Sequence, residues 1–216
     1  MVTPYLYAGS DTRIDMSNYS DDYKIIPLSN ETLQDAISLT KVVFPYKPDQ
    51  KNAEWNFTDS LSNPNSGENY WVAVTKDTEV VGTTGLYHDA YDENIVWLGW
   101  FGVHPQHRRH GIGSRLLEFA IAKSVKRSFS ILKLYSSSDD NEIAAHKLYK
   151  KHGFLKSAVD KKKDRIYFVN YLTNLSKKVM ENRMTTHKIK IEWEGPLKLN
   201  PKTEIEFKKN GKALLA

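Results

Sequence analysis

One stretch, "NIVWLGWFGV" (Asn94–Val103), is nearly continuous in apolar residues and has the length of a strand. That pattern predicts a central strand buried on both faces. Upstream, "YWVAV" and "EVVGTTGLY" are β-branched and aromatic runs around "KDT", which predicts a hairpin. "YKIIPL" (Tyr23–Leu28), "SILKLYS" (Ser130–Ser136) and "RIYFVNYL" (Arg165–Leu172) supply three further strands. Elsewhere the period is helical. "ETLQDAISLTKVVF" follows the N-cap types Ser29 and Asn30, and a second helix is predicted over about Asp49 to Leu61. A third runs from Gly111 to about Lys126 with Ile112, Leu116, Leu117, Ala120 and Ile121 on one face. A fourth, within "DDNEIAAHKLYKKHGF", opens on a capping-box-like Asp139-x-x-Glu142 and closes on Gly153, suited to a left-handed C-cap.

The order is strand, helix pair, hairpin, long strand, helix, strand, helix, strand. Residues 1–22 are weakly patterned and read as an arm. A boundary is drawn near Leu175, giving a main domain over 23–174 and an appendage over 175–216. In the appendage "KIKIEWEG" alternates and "TEIEFKKNGKALLA" carries an Asn-Gly hairpin signal. At about 40 residues this β appendage is small for independent stability, and homodimerisation is one way to cover its strand edges.

The chain has 216 residues, 40% of them hydrophobic, and no cysteine, which excludes disulfides, thiolate metal sites and a cysteine nucleophile. No run approaches the ~18 apolar residues of a membrane span, and no signal-peptide pattern opens the sequence. A soluble, cytoplasmic protein is expected, with no membrane or nucleic-acid partner. The net charge of +5 is spread out, and its densest cluster, "DKKKDR" (Asp160–Arg165), reads as an exposed hairpin turn.

"VHPQHRRHGIGSRLLEF" (Val103–Phe119) joins the long strand to a helix through two closely spaced glycines. Its backbone N–H groups and helix N-terminus suit a phosphate. The stretch lacks the Lys-Ser/Thr of a P-loop, and Leu116 stands where a dinucleotide fingerprint needs its third glycine. Arg108-Arg109-His110-Gly111-Ile112-Gly113 matches an Arg/Gln-x-x-Gly-x-Gly/Ala pyrophosphate loop. His104, His107 and His110 recur every third residue, but a loop committed to a phosphate is a poor metal site, and no metal is expected.

This block and "NEIAAHKLYKKHGF" together resemble the GNAT superfamily of acyl-CoA-dependent N-acyltransferases, over roughly Tyr23 to Leu172. The resemblance implies an α/β fold of the α+β type, with a mixed, mostly antiparallel sheet flanked by helices. It implies acetyl-CoA as co-substrate and acetyl transfer to a primary amine by direct attack. Phe101, Gly102 and Val103 would splay from the neighbouring strand and pair with the pantetheine arm. Arg108, Arg109, His110, Gly111, Ile112, Gly113 and Ser114 would hold the pyrophosphate, and Asn141 would bond the pantetheine. Tyr149 would protonate the departing thiolate. Trp97 stands where many members carry a glutamate base, so Glu93 is the candidate base, with Asp92 and His88 beside it. The aromatic and acidic run Tyr87–Trp100 suggests a cationic small amine or peptide amine as acceptor. A non-catalytic acyl-CoA-binding sensor or interaction module is the alternative.

Overall fold

The computed structural model describes residues 22–172, apart from Pro45 and Pro64, together with the backbone of four short strands elsewhere. Seven strands form one sheet: β1 (Tyr23–Pro27), β2 (Asn69–Thr75), β3 (Val80–His88), β4 (Ile95–Val103), β5 (Ile131–Ser136), β6 (Leu155–Asp160) and β7 (Arg165–Tyr171). Their spatial order is β1-β2-β3-β4-β5-β7-β6. Every pairing is antiparallel except β4 with β5. The helices are α1 (Asn30–Val43), α2 (Lys47–Ser62), α3 (Ile112–Lys126) and α4 (Ile143–Lys151). The expected mixed sheet flanked by helices is therefore present. None of the described helices is long and apolar enough to cross a membrane.

The two sheet faces carry separate cores. On one, Leu117, Ala120 and Ile121 of α3 and Tyr149 of α4 pack on Trp71, Leu86, Val96, Leu98, Leu132, Leu134 and Phe168. On the other, Ala36, Ile37 and Leu39 of α1 and Phe57 of α2 pack on Tyr70, Val72, Val74 and Val80. The alternation of strand side chains assigns each residue to its face. Hence Lys133 and Tyr135, flanking the core residue Leu134, lie on the α1/α2 side of the sheet.

Local chemistry matches the predicted ends. Thr32 Oγ1 accepts from the Ser29 N–H (3.1 Å) at the start of α1. Gly153 takes φ +84 beyond α4, and Asn170 Nδ2 donates to the His152 carbonyl there (2.9 Å). The Asp160–Arg165 turn closes a β6–β7 hairpin, with Asp160 Oδ1 accepting from Lys162 and Lys163 N–H. One boundary differs. Asp139 accepts from the Asn141 N–H in a 3₁₀ turn over Asp140–Glu142, so α4 begins only at Ile143.

The chain divides into two compact units, Met1–Lys177 and Lys178–Ala216. In the first, Leu6–Tyr7 pairs with Arg13–Ile14. In the second, Ile205–Phe207 pairs antiparallel with Ala213–Leu215, the two arms of the predicted hairpin. "KIKIEWEG", and the rest of the arm and appendage, lie outside the described residues.

His152 supplies a stability test. Its ring is largely buried, and burial, then Lys151, holds its pKa below the usual imidazole value. The unfolded chain therefore binds more protons than the folded one as pH falls through about 6.5. Stability should drop on acidification through that window. Urea midpoints against pH should fall more steeply for the wild type than for His152→Gln.

Candidate active site

The two parallel strands at the sheet's centre stay together for only three pairs: Ile95 with Ile131, Val96 with Leu132, and Trp97 with Lys133. Beyond Trp97 they part, and Leu98–Val103 keeps partners only on β3. A bulge accompanies the parting. Between the pairs Thr83–Gly102 and Gly85–Gly99, Thr84 alone faces both Trp100 and Phe101. Such a bulge bends the strand and increases its twist. Trp100 sits there at φ +44, a conformation that strains a non-glycine residue and persists where its surroundings fix it. Here Trp100 Nε1 donates to Asn56 Oδ1 on α2 (3.0 Å), and its ring meets Phe44 edge-on at 5.5 Å. Gly102 follows because a Cβ there would stand 2.5 Å from Val43 Cγ1 of α1. The result is a fork whose β4 arm presents unpaired backbone groups toward β5.

The fork leads to the β4–α3 loop. Arg109 (φ +69) and Gly111 (φ +80) are both left-handed and flank His110. Alternating backbone handedness of this kind turns successive N–H groups into a concave anion nest. Gly111 is the N-cap of α3 and offers no side-chain cap, so the first N–H groups, those of Ile112, Gly113 and Ser114, lack intrahelical acceptors. A Cβ on Gly111 would meet nothing within 4 Å, so the nest opens outward. Arg108, Arg109 and His110 are exposed around it, and Arg108 Nε–H folds back onto the Val103 carbonyl (3.1 Å). Of the three spaced histidines, His104 Nδ1 accepts from the Gln106 N–H (3.4 Å), His107 approaches Glu79 at 3.7 Å, and His110 faces solvent.

Tyr149 lies in the wall of the fork. It is 5% exposed, and its ring packs at 5.9 Å from Phe101, 6.0 Å from Phe154 and 5.5 Å from Phe168. Its hydroxyl has no hydrogen-bond partner among the described residues. Burial, with a smaller contribution from Glu142, pushes its pKa above the phenol range, which favours the protonated phenol.

A model of the acetyltransferase (GNAT) family matches residues 32–154, more than half of the chain. The chain belongs to the GNAT family. Solved structures with the same fold include a GNAT-family acetyltransferase from Desulfovibrio desulfuricans, at 17% identity and TM-score 0.65, covering 70% of this chain and 99% of that one. A Thermoplasma acidophilum PaiA N-acetyltransferase solved with coenzyme A aligns at 18% identity and TM-score 0.57, over 69% and 98% of the two chains. An Elizabethkingia anophelis GNAT acetyltransferase with acetyl-CoA bound aligns at 19% and 0.56, over 71% and 100%. No curated protein sequence matches the chain.

In this GNAT domain two sequence candidates have exposed side chains. Glu93 is exposed in the β3–β4 turn. The point where β4 and β5 part lies four residues on, at Trp97. No hydrogen bond or ring contact among the described residues links Glu93 to Tyr149 or to Phe101–Val103. Asn141 is exposed and turns its amide back onto Asp139 (2.9 Å). Its neighbour Glu142 reaches inward, accepting from Ser136 Oγ at the end of β5 (2.7 Å), and His146 Nε2 approaches the same hydroxyl (3.1 Å). Sequence reasoning missed this group. It also missed Glu68, which accepts from the Tyr70 hydroxyl (2.6 Å) and from Asn56 Nδ2 (3.2 Å). Through Asn56 this carboxylate is linked to the bulge residue Trp100. The Glu68–Asn56–Trp100 chain has no sequence signal, because its members come from three separate elements.

Proposed function

We propose that this chain moves an acetyl group from acetyl-CoA to a primary amine by direct attack in a ternary complex. The observation that carries the reading is the β4–β5 fork, which runs from an outward-opening anion nest to a buried tyrosine. The nest would take the pyrophosphate, and the free β4 edge at Phe101–Val103 would pair with the pantetheine amides. A backbone N–H on that edge suits the charge developing on the thioester oxygen. A C–N bond forms and the C–S bond breaks. The thiolate would form beside Tyr149 and the apolar rings around it, and Tyr149 delivers its proton to sulfur, to be reprotonated from solvent as the products leave.

The acceptor's own proton must also leave, since an amine is mostly charged near pH 7. Glu68, a partly buried carboxylate on the α1/α2 side of the fork, is the base this reading favours, acting through Tyr70 or water. Glu68→Gln should lower kcat/KM about 100-fold at pH 7. The deficit should narrow as pH rises toward the amine's pKa, since deprotonated acceptor then needs no base. A pH-independent deficit would assign Glu68 a structural role.

The general test is thiol release from acetyl-CoA against a panel of amines. Turnover with at least one amine supports transfer. Tight acetyl-CoA binding with no turnover favours the sensor reading, to which Trp97 lends an observation: its indole N–H donates to Asp89 (2.7 Å) and its ring stacks on Tyr87.

A further inference from the structure

On the α1/α2 side of the sheet, the strands at the base and mouth of the fork carry an aromatic floor. Tyr87 and Trp97 stack at 6.2 Å and 11°, and Trp97 meets the rings of Tyr135 and Tyr167 edge-on at 6.4 and 6.2 Å. Tyr135 stands on β5 just past the last β4–β5 pair and is 44% exposed.

Two cations already occupy this floor. Lys133 Nζ lies 5.4 Å from the Trp97 ring, and the Arg165 guanidinium lies 4.1 Å from the Tyr135 ring. Lys133 is balanced in part by Asp89, whose carboxylate it helps keep ionised. Arg165 is different. Its guanidinium lies over the Tyr135 ring, and it meets no carboxylate among the described residues. Two of the acids that would draw a cationic substrate are engaged elsewhere. Asp89 accepts from Trp97 Nε1 and from the Tyr91 and Asp92 N–H groups, and Asp92 accepts from Asn94. Glu68 stands across the floor from Arg165. Tyr87 lies between them and feels both charges.

We infer that Arg165, seated on Tyr135 at the mouth of the fork, selects acceptors that carry a carboxylate, so that the substrate class is an amino acid or short peptide with a free carboxyl end. The inference rests on the amine-acetylation reading. The carboxylate pairs with the guanidinium fork, whose planar donors match it two-to-two, and the amine points back toward β4 and Glu68. A polyamine, with no anion to offer, meets Arg165 and Lys133 as repulsion.

The experiment compares glycylglycine and free amino acids with their C-terminal amides and with spermidine, in wild type, Arg165→Gln and Arg165→Lys. Both thiol release and direct binding to the protein saturated with coenzyme A are measured, binding by the fluorescence of Trp97 and its neighbours. The expected result is a preference of at least tenfold for carboxylate over amide, expressed mainly in KM. Arg165→Gln should abolish it by weakening the carboxylate acceptors alone, and Arg165→Lys should restore part of it. Amides equal to acids, or spermidine ahead of both, overturns the inference while leaving amine acetylation intact. If no amine turns over, transfer fails, and the binding preference still decides for or against Arg165.

Discussion

Tyr149→Phe should lower kcat about 100- to 1,000-fold, the range of a positioned proton donor, with coenzyme A affinity unchanged within about threefold. The substitution removes one oxygen and keeps the ring that packs against Phe101, Phe154 and Phe168. The lost hydroxyl has no hydrogen-bond partner among the described residues, so no buried group is orphaned and thermal stability should hold. Those two controls separate chemistry from packing. Thiol-release kinetics give kcat, calorimetry gives the affinity, and a thermal melt checks the fold. A variant as fast as wild type would make Tyr149 a core residue and remove the acid from the mechanism. Burial favours the protonated phenol. Activity should therefore show no decline from Tyr149 ionisation between about pH 7 and 9, and any rise there belongs to the acceptor amine.

How much of this site was legible follows from the range of each interaction. The main-domain strands and helices were readable because their hydrophobic periods are local. The nest was readable because glycine marks backbone geometry in the sequence itself. The bulge was not. A tryptophan within an apolar run carries no sign of a positive φ, and Trp100 is held there by Asn56, 44 residues upstream. Asn141 and Glu142 differ by one residue in a 3₁₀ turn, and which one faces inward depends on where α4 begins. Helix starts are uncertain by a residue or two from sequence, and a shift of one rotates a side chain by about 100°. The acids near Glu93 pointed toward an acceptor in sequence, yet Asp89 and Asp92 are spent on their own turn. The cation that matters to the acceptor's charge, Arg165, came from a turn that sequence assigned to solvent.

Gly111→Val should weaken coenzyme A binding about 100-fold while Gly111→Asn stays within about threefold of wild type. At φ +80 a β-branched residue is strained, whereas asparagine enters the left-handed region readily. Space is not the issue, since nothing lies within 4 Å of an added Cβ. Valine will instead pull the backbone toward negative φ and swing the N–H groups of Ile112, Gly113 and Ser114 off their common target. Charge-assisted hydrogen bonds are worth about 1.5–3 kcal/mol each, so losing one or two is enough for two orders of magnitude, at about 1.4 kcal/mol per tenfold. An added Cβ at exposed Gly111 displaces no core atom, so melting temperature should move by only a few degrees, and calorimetric titration with coenzyme A reads the affinity. If valine binds coenzyme A as tightly as glycine, the pyrophosphate is not seated on this nest, and the exposed Arg108, Arg109 and His110 become its holders. The valine–asparagine contrast makes backbone conformation the variable, because the Cβ of either residue meets open space at this position and only valine is branched there.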